Sequence, residues 1–442
     1  MIAMNILMGH NFYQLPGGED RVFADETRLL EDHGHQVERY TAHNSAVGHR
    51  SAPGLTRDTL WNGRAARAIQ TLVAKRQARV AHFHNTFPLI SPAAYYGARA
   101  GGAVVVQTLH NFRLLCPQAT FFRDGRVCED CLGRIPWPAV AHACYRGSRG
   151  VTAVAAAAIV AHRMARTWRR AVDVYIAVTE FARRKFIAGG LPAEKIVVKP
   201  NFVSPTPPAG DGAGGYAVFV GRLSPEKGIP TLLAAWRTLG ERIPLKIVGD
   251  GPTAPLVREA AATNRGVEWL GPRSADEVQA IVRDAAFLVL PSTCYEGLPK
   301  VLVEAFATGT PAVVSRLGAL AELVDDGRTG VCFQPGDPVD LADRVSELLS
   351  VPSRLSWMRA EARAEFELKY TARRNYELLM NIYERALAGS TRAPRPSAGA
   401  ESPASRPAAQ VPRRKPPGDP TSELRPRADS ETPGEAVCSP NR

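Results

Sequence analysis

Short apolar runs alternate along the first half of the chain with longer stretches of mixed polar and apolar residues. The runs are Ile2 to Met8, Val37 to Thr41, Arg79 to Phe83, Ala103 to Thr108 and Val174 to Val178. Runs of this length, separated by segments of helical spacing, predict a parallel sheet covered by helices. From Pro200 to Gly215 the sequence reads PNFVSPTPPAGDGAGG. So many Pro and Gly continue neither element, and a linker between domains is expected there. The alternation then resumes, with strand candidates at Tyr216 to Val220, Leu245 to Val248, Val267 to Leu270, Phe287 to Leu290, Ala312 to Val314 and Val331 to Phe333. The expected fold class is α/β, with two doubly wound Rossmann-like domains at residues 1–203 and 204–354. Two such sheets would bring the carboxyl ends of their strands, where α/β ligand sites form, around one cleft.

Composition fits this picture and narrows it. Of 442 residues, 45% are hydrophobic and 22% charged, which suits two packed cores and excludes a disordered chain. The end of the chain differs: the 53 residues from Ser390 to Arg442 include 11 Pro, 9 basic and 6 acidic residues, and this tail (389–442) is expected to be disordered. The longest apolar run, Val151 to Ala161, falls short of the roughly 20 residues that span a bilayer. The first thirty residues lack the pattern of a secretory signal, so a cytoplasmic location is expected. Seven cysteines are too few for a disulfide scaffold of this size.

Three segments next to predicted strands carry candidate chemistry. After the first strand, Pro16-Gly17-Gly18-Glu19 opens a helical pattern that runs to about His33. Glycines at a helix start let phosphate reach unpaired amides, although a plain turn would look the same. After the strand Tyr216 to Val220, Arg222 and Lys227 flank a single βα turn, a suitable arrangement of cations for a diphosphate. After Phe287 to Leu290, Glu296 precedes a helix that contains Glu304 about two turns further on. Two carboxylates so placed can hold two hydroxyl-bearing parts of one extended ligand, with Gly297 leaving amides open to anions. Glu304 lies among Val301, Leu302, Val303, Ala305 and Phe306, and there a carboxylate needs a partner or a ligand to offset its desolvation.

With these residues in view, the chain resembles a family 4 retaining glycosyltransferase of the GT-B fold, the type that builds bacterial polysaccharides and lipid-linked glycans. The matching features are Gly17-Gly18, Thr108-Leu109-His110-Asn111, Gly221-Arg222-Leu223 with Glu226-Lys227-Gly228, and Gly249-Asp250-Gly251-Pro252. They continue with Glu296-Gly297 to Glu304-Ala305, Gly309 to Val314, and Glu322 with Gly327-Arg328-Thr329-Gly330. The resemblance extends from Met4 to about Ala386. It implies that Arg222 and Lys227 bind the diphosphate of a nucleotide-sugar donor, Glu304 its ribose, and Glu296 a hydroxyl of its sugar. Gly297 and Leu298 would complete the donor loop, Gly17 and Gly18 would approach the diphosphate, and His110 would face donor sugar and acceptor from the other domain. Residues 355–388 would form helices that cross back to the first domain. No metal or other cofactor is then required, since cations and amides aimed at the leaving diphosphate stabilise the transition state. Ser315 to Ala321 lacks the paired glycines usual ahead of the Glu, which weakens Glu322 as a donor contact.

Two further features stand outside this pattern. Cys116, Cys128, Cys131 and Cys144 could hold a structural zinc or simply pack a loop, with Arg123-Asp124-Gly125-Arg126 as a turn between them. Six arginines between Arg146 and Arg170, with no acidic residue among them, border an apolar run. Such a helix suits either an anionic membrane face, which would make the protein peripheral to the inner membrane surface, or plain solvation. Nucleic acid ranks below both, because no nucleic-acid motif accompanies the charge. The function expected is transfer of a sugar from a nucleotide diphosphate sugar to a glycan, a lipid-linked saccharide or another hydroxyl acceptor. The alternatives are a sugar-nucleotide epimerase of the same architecture and a non-catalytic nucleotide-sugar-binding subunit.

Overall fold

A computed structural model describes residues 3–15 and 17–391. The first half holds β1 (Asn5–Phe12), β2 (Gln36–His43), β3 (Val80–Asn85) and β4 (Val104–Leu109). A small hairpin of β5 (Phe122–Arg123) and β6 (Arg126–Val127) follows, then β7 (Val174–Ala177) and β8 (Ile196–Val198). Apart from the hairpin, these strands form a six-stranded parallel sheet in the order β2-β1-β3-β4-β7-β8. β3 and β4 are buried along their whole length, as strands covered on both faces must be, and His82, His84 and Asn85 of β3 and Gln107 and Thr108 of β4 are buried with their apolar neighbours. β1 continues past its predicted end at Met8, because His10 and Asn11 are buried with Asp20 and Asn44 as partners.

The second half holds β9 (Ala217–Val220), β10 (Leu245–Val248), β11 (Val267–Gly271), β12 (Phe287–Leu290), β13 (Ala312–Ser315) and β14 (Gly330–Phe333). These pair in parallel in the order β11-β10-β9-β12-β13-β14. Strand order reverses between β1 and β3 in the first sheet and between β9 and β12 in the second. In open α/β sheets such reversals open a crevice at the carboxyl ends of the strands.

The two final helices divide between the sheets. In Pro352–Lys369, Met358, Ala362 and Phe366 pack against the second domain, and the Arg359 guanidinium donates to the carbonyls of Gly210, Arg283 and Ala285. Of these two, helix Ala372–Thr391 is the one that packs on the first sheet, burying Tyr376, Leu379, Met380 and Tyr383 against Ile6, Val80, Val104 and Val174. The tail expected from residue 389 lies outside the described residues beyond Thr391.

Candidate functional site

The loops after β9 and β12 meet at the reversal point of the second sheet. Gly228 (φ +71°) sits so close to β12 that a methyl group there would lie 1.8 Å from the Pro291 carbonyl oxygen, and Thr293 N–H donates to the Glu226 carbonyl at 2.9 Å. Fixed in this way, Lys227 Nζ lies 2.6 Å from Glu296 Oε1, and Ser292 Oγ donates to the same oxygen at 2.6 Å. Glu296 Oε2 has no hydrogen-bond partner among the described residues. Burial alone would raise the Glu296 carboxyl, but Lys227 and Ser292 outweigh it and hold the group below the usual range. Burial would likewise lower the Lys227 ammonium, and Glu296 reverses that effect. The exposed Arg222 guanidinium has no hydrogen-bond or ion-pair partner among the described residues, and is therefore a cation free to meet an anion.

Glu304 lies in helix Lys300–Ala307 with its side chain 15% exposed. Burial raises its carboxyl, and the opposing charge comes from Arg21, whose Nη1 lies 3.3 Å from Oε1. Arg21 belongs to helix Gly18–Asp32 of the first domain, as does Asp25, which pairs with Lys300. The partner that Glu304 needs is thus supplied across the cleft. Gly17 and Gly18 open that helix: Asp20 accepts from Gly17 N–H at 2.9 Å, no atom lies within 4 Å of a Cβ built on Gly17, and a Cβ on Gly18 would be 3.8 Å from Lys300 Cβ. Gly17 therefore faces open space, while Gly18 lies beside Lys300 of the second domain. Leu298 is buried, and its carbonyl accepts from Asn201 Nδ2 at 3.2 Å.

His110 follows β4. Its carbonyl oxygen would lie 2.7 Å from a Cβ on Gly297, so His110 meets the loop that carries Glu296, while Arg222 and Lys227 lie on the adjoining loop after β9 and Glu304 on the helix that follows. Burial and then the neighbouring His84 hold the His110 imidazole well below its ordinary range, which keeps it neutral. With Asn111, Arg113 and His84 it lines a pocket of about 60 Å³ in the first domain, to which Ala155, Ala158 and Ile159 also contribute. Beside it, Glu19 accepts from Tyr13 Oη (2.9 Å) and Asn111 Nδ2 (3.1 Å), and burial pushes its carboxyl up to about 7.

Glu322, read from the sequence as a weakened donor contact, is engaged between the domains, accepting from Glu180 N–H at 2.8 Å and from Arg184 Nη2 at 3.0 Å. The four cysteines of the loop after His110 are free thiols, and burial pushes Cys131 up to about 11. Among the described residues their sulfurs do not form a tight group of three; the group that does is Glu26, His82 and His84, with ligand atoms all within 4.8 Å of one another. Asp124 and Gly125 make the hairpin turn between β5 and β6, in the segment read as a turn. Five of the six arginines between 146 and 170 are exposed around helices Arg149–Met164 and Thr167–Arg170, near exposed Ile135, Trp137 and Met164.

Sequence reasoning missed Arg21, Asp25, Glu19 and the buried group Glu26, His82, His84 and Lys199. One signal was available: His82 and His84 alternate along β3, which puts both on one face of the sheet. The others depend on contacts between distant segments.

Residues 16–206 match the family Glycosyltransferase Family 4, and residues 214–351 the family Glycosyl transferases group 1. An uncharacterised glycosyltransferase of Methanocaldococcus jannaschii is 31% identical over 39% of this chain and 49% of its own length. A D-inositol 3-phosphate glycosyltransferase of Corynebacterium urealyticum is 34% identical over 36% of this chain and 39% of its own length. The chain thus spans half or less of the length of these relatives. The crystal structure of Anabaena HepE in complex with UDP and glucose superposes with a TM-score of 0.60 at 20% identity, covering 86% of this chain and all of that one, and so shares the fold.

Proposed function

Because the chain belongs to the family 4 glycosyltransferases and has their GT-B fold, we propose that it transfers a sugar from a nucleoside diphosphate sugar to a hydroxyl acceptor. The observation that carries this reading is the meeting of the donor loops after β9 and β12 with His110 across one cleft. Breaking the anomeric bond leaves positive charge on the sugar and negative charge on the diphosphate. Arg222 and Lys227 meet that negative charge without a metal, and fixed cations of this kind stabilise the transition state more than the bound ground state. On binding, the diphosphate would compete with Glu296 for Lys227, freeing the carboxylate for a sugar hydroxyl. Glu304 would hold the ribose and Arg21 would close on the nucleotide.

The same reading assigns retention of anomeric configuration and a hexose as the transferred sugar. The acceptor would be a glycan or lipid-linked saccharide of polysaccharide biosynthesis. It would be presented at an anionic membrane face on which the arginines between 146 and 170 rest. HepE, which shares the fold, holds UDP, and uridine diphosphate sugars are therefore the first donors to try. The test is to incubate the protein with a panel of nucleotide sugars and a lipid-linked or oligosaccharide acceptor, then read the product by NMR. Donor-dependent glycoside with the donor's anomeric configuration supports the proposal. Interconversion of the free sugar nucleotide without transfer contradicts it.

A further inference from the structure

Four side chains from distant parts of the chain form a buried sequence of contacts that ends at His110. Lys199, after β8, pairs with Glu26 of helix Gly18–Asp32, and both side chains are 1% exposed or less. Glu26 Oε2 lies 3.2 Å from His84 Nε2, and His84 Nδ1 lies 2.9 Å from His110 Nε2. The last helix anchors the far end: Asn375 Oδ1 accepts from Lys199 Nζ at 3.1 Å, while Asn375 Nδ2 donates to the Pro200 carbonyl at 2.7 Å. Glu26, His82 and His84 could be taken for a metal-binding triad. The Lys199 ammonium already supplies their cation, and His82 is committed through Nδ1 to Tyr383 Oη (2.8 Å) and through Nε2 to Thr108 Oγ1 (2.7 Å).

The chemistry of these groups selects one arrangement of protons. An ionised carboxylate only accepts, and a neutral imidazole carries one N–H. The 3.2 Å contact between Glu26 and His84 is bent rather than well aligned, yet a lone pair on Nε2 would face the carboxylate charge, whereas an N–H there is attracted to it. His84 therefore carries its proton on Nε2 and presents a lone pair at Nδ1. The proton between the two histidines then belongs to His110 Nε2, and the lone pair of His110 sits on Nδ1. That nitrogen has no hydrogen-bond partner among the described residues, and His110 lines the pocket together with Asn111 and Arg113.

We propose that Glu26, balanced by Lys199, is a positioning residue that acts through His84 to fix His110 in the tautomer with a bare Nδ1, which accepts a hydrogen bond from a sugar hydroxyl in the cleft. The assignment of that hydroxyl rests on the glycosyltransferase reading; the tautomer does not. Lys199 has a separate task. Without it the Glu26 charge would be uncompensated and would draw an extra proton onto the histidine pair. The other titratable groups around the pair are His10, bonded to Asp20, and His82, bonded to Tyr383.

Nitrogen-15 NMR of the full chain labelled at histidine reads the tautomer directly, with His110 assigned by comparison with His110→Gln. The expected result at neutral pH is an unprotonated Nδ1 and a protonated Nε2 on His110. The reverse pattern, or a mixture, overturns the proposal whether or not any donor has been found. In transfer assays, Lys199→Met is expected to move the acid limb of the kcat/KM profile upward by on the order of one pH unit, and the neutral pair Glu26→Gln with Lys199→Met to return it. An acid limb that stays in place in Lys199→Met overturns the role given to the ion pair. If no nucleotide sugar supports transfer by the wild type, the proposed function fails while the NMR result still decides the tautomer.

Discussion

A methyl group placed on Gly297 would lie 2.7 Å from the carbonyl oxygen of His110. The loop after β12 in the second domain and the strand end of the first therefore touch backbone to backbone, and residue 297 has to lack a side chain for them to do so. Gly297→Ala is expected to hold the cleft open, with an overpacking cost of roughly 1–3 kcal/mol on closure and a loss of transfer of about tenfold or more. Nucleoside diphosphate binding by Arg222 and Lys227 should survive. Parallel calorimetry and rate measurements check this, and an alanine variant with unchanged rate would contradict the contact.

Arg222 is exposed and unpartnered among the described residues, while Lys227 is already paired with Glu296 at 2.6 Å. Arg222→Ala should therefore weaken donor binding without disturbing the resting site. Lys227→Met should do more, because it also leaves the largely buried Glu296 carboxylate unpaired. For Lys227→Met a fall in kcat of about 10²–10³ is expected, the usual cost of removing one group that stabilises developing negative charge. Single-turnover rates at saturating donor provide the measurement.

Arg21 Nη1 and Glu304 Oε1, 3.3 Å apart, join the two domains next to the expected ribose position. The pair is partly exposed and contributes little to stability, of the order of 0–1 kcal/mol. Arg21→Ala should leave thermal unfolding almost unchanged while raising KM for the donor. Glu304→Gln should raise that KM further, because a carboxylate accepts hydrogen bonds from two ribose hydroxyls and an amide presents one acceptor oxygen. Initial-rate kinetics over a range of donor concentrations separate the two effects.

Acid is expected to destabilise the fold through histidines that it keeps neutral. Burial lowers His10, His82 and His110 from the ordinary value of 6.5. Below that value the unfolded chain binds protons that the folded chain refuses, so stability falls as pH drops from about 7 to about 5. Glu19 acts in the opposite sense: pushed up to about 7, it takes up its proton first in the folded state, and its contribution is lost as pH rises through that range. Glu19→Gln removes the opposing contribution. Its melting temperature should fall more steeply on acidification than that of the wild type, as thermal scans at both pH values will read.

Much of the fold was legible because buried parallel strands are rich in apolar and β-branched residues; β3 and β4 could be bounded from the sequence to within one or two residues. The three-residue β8 was too short to form a recognisable run. At the site, Lys227, Glu296 and Glu304 stood out through their place after strands or inside an apolar helix. Arg21, Asp25 and Lys199 looked like ordinary surface charges, since nothing local marks a residue whose partner lies far along the chain: Lys199 and Glu26 are 173 positions apart, and Arg21 and Glu304 are 283. Glu322 shows the converse, a motif residue whose carboxylate is used in joining the domains.

A structure of the chain with a nucleoside diphosphate bound, UDP tried first and GDP second, decides whether the loops after β9 and β12 hold a nucleotide sugar. The diphosphate is predicted to lie against Arg222 and Lys227, with the ribose on Glu304 and Glu296 released from Lys227. A nucleotide seated elsewhere, with the contact between Lys227 and Glu296 intact, would contradict it.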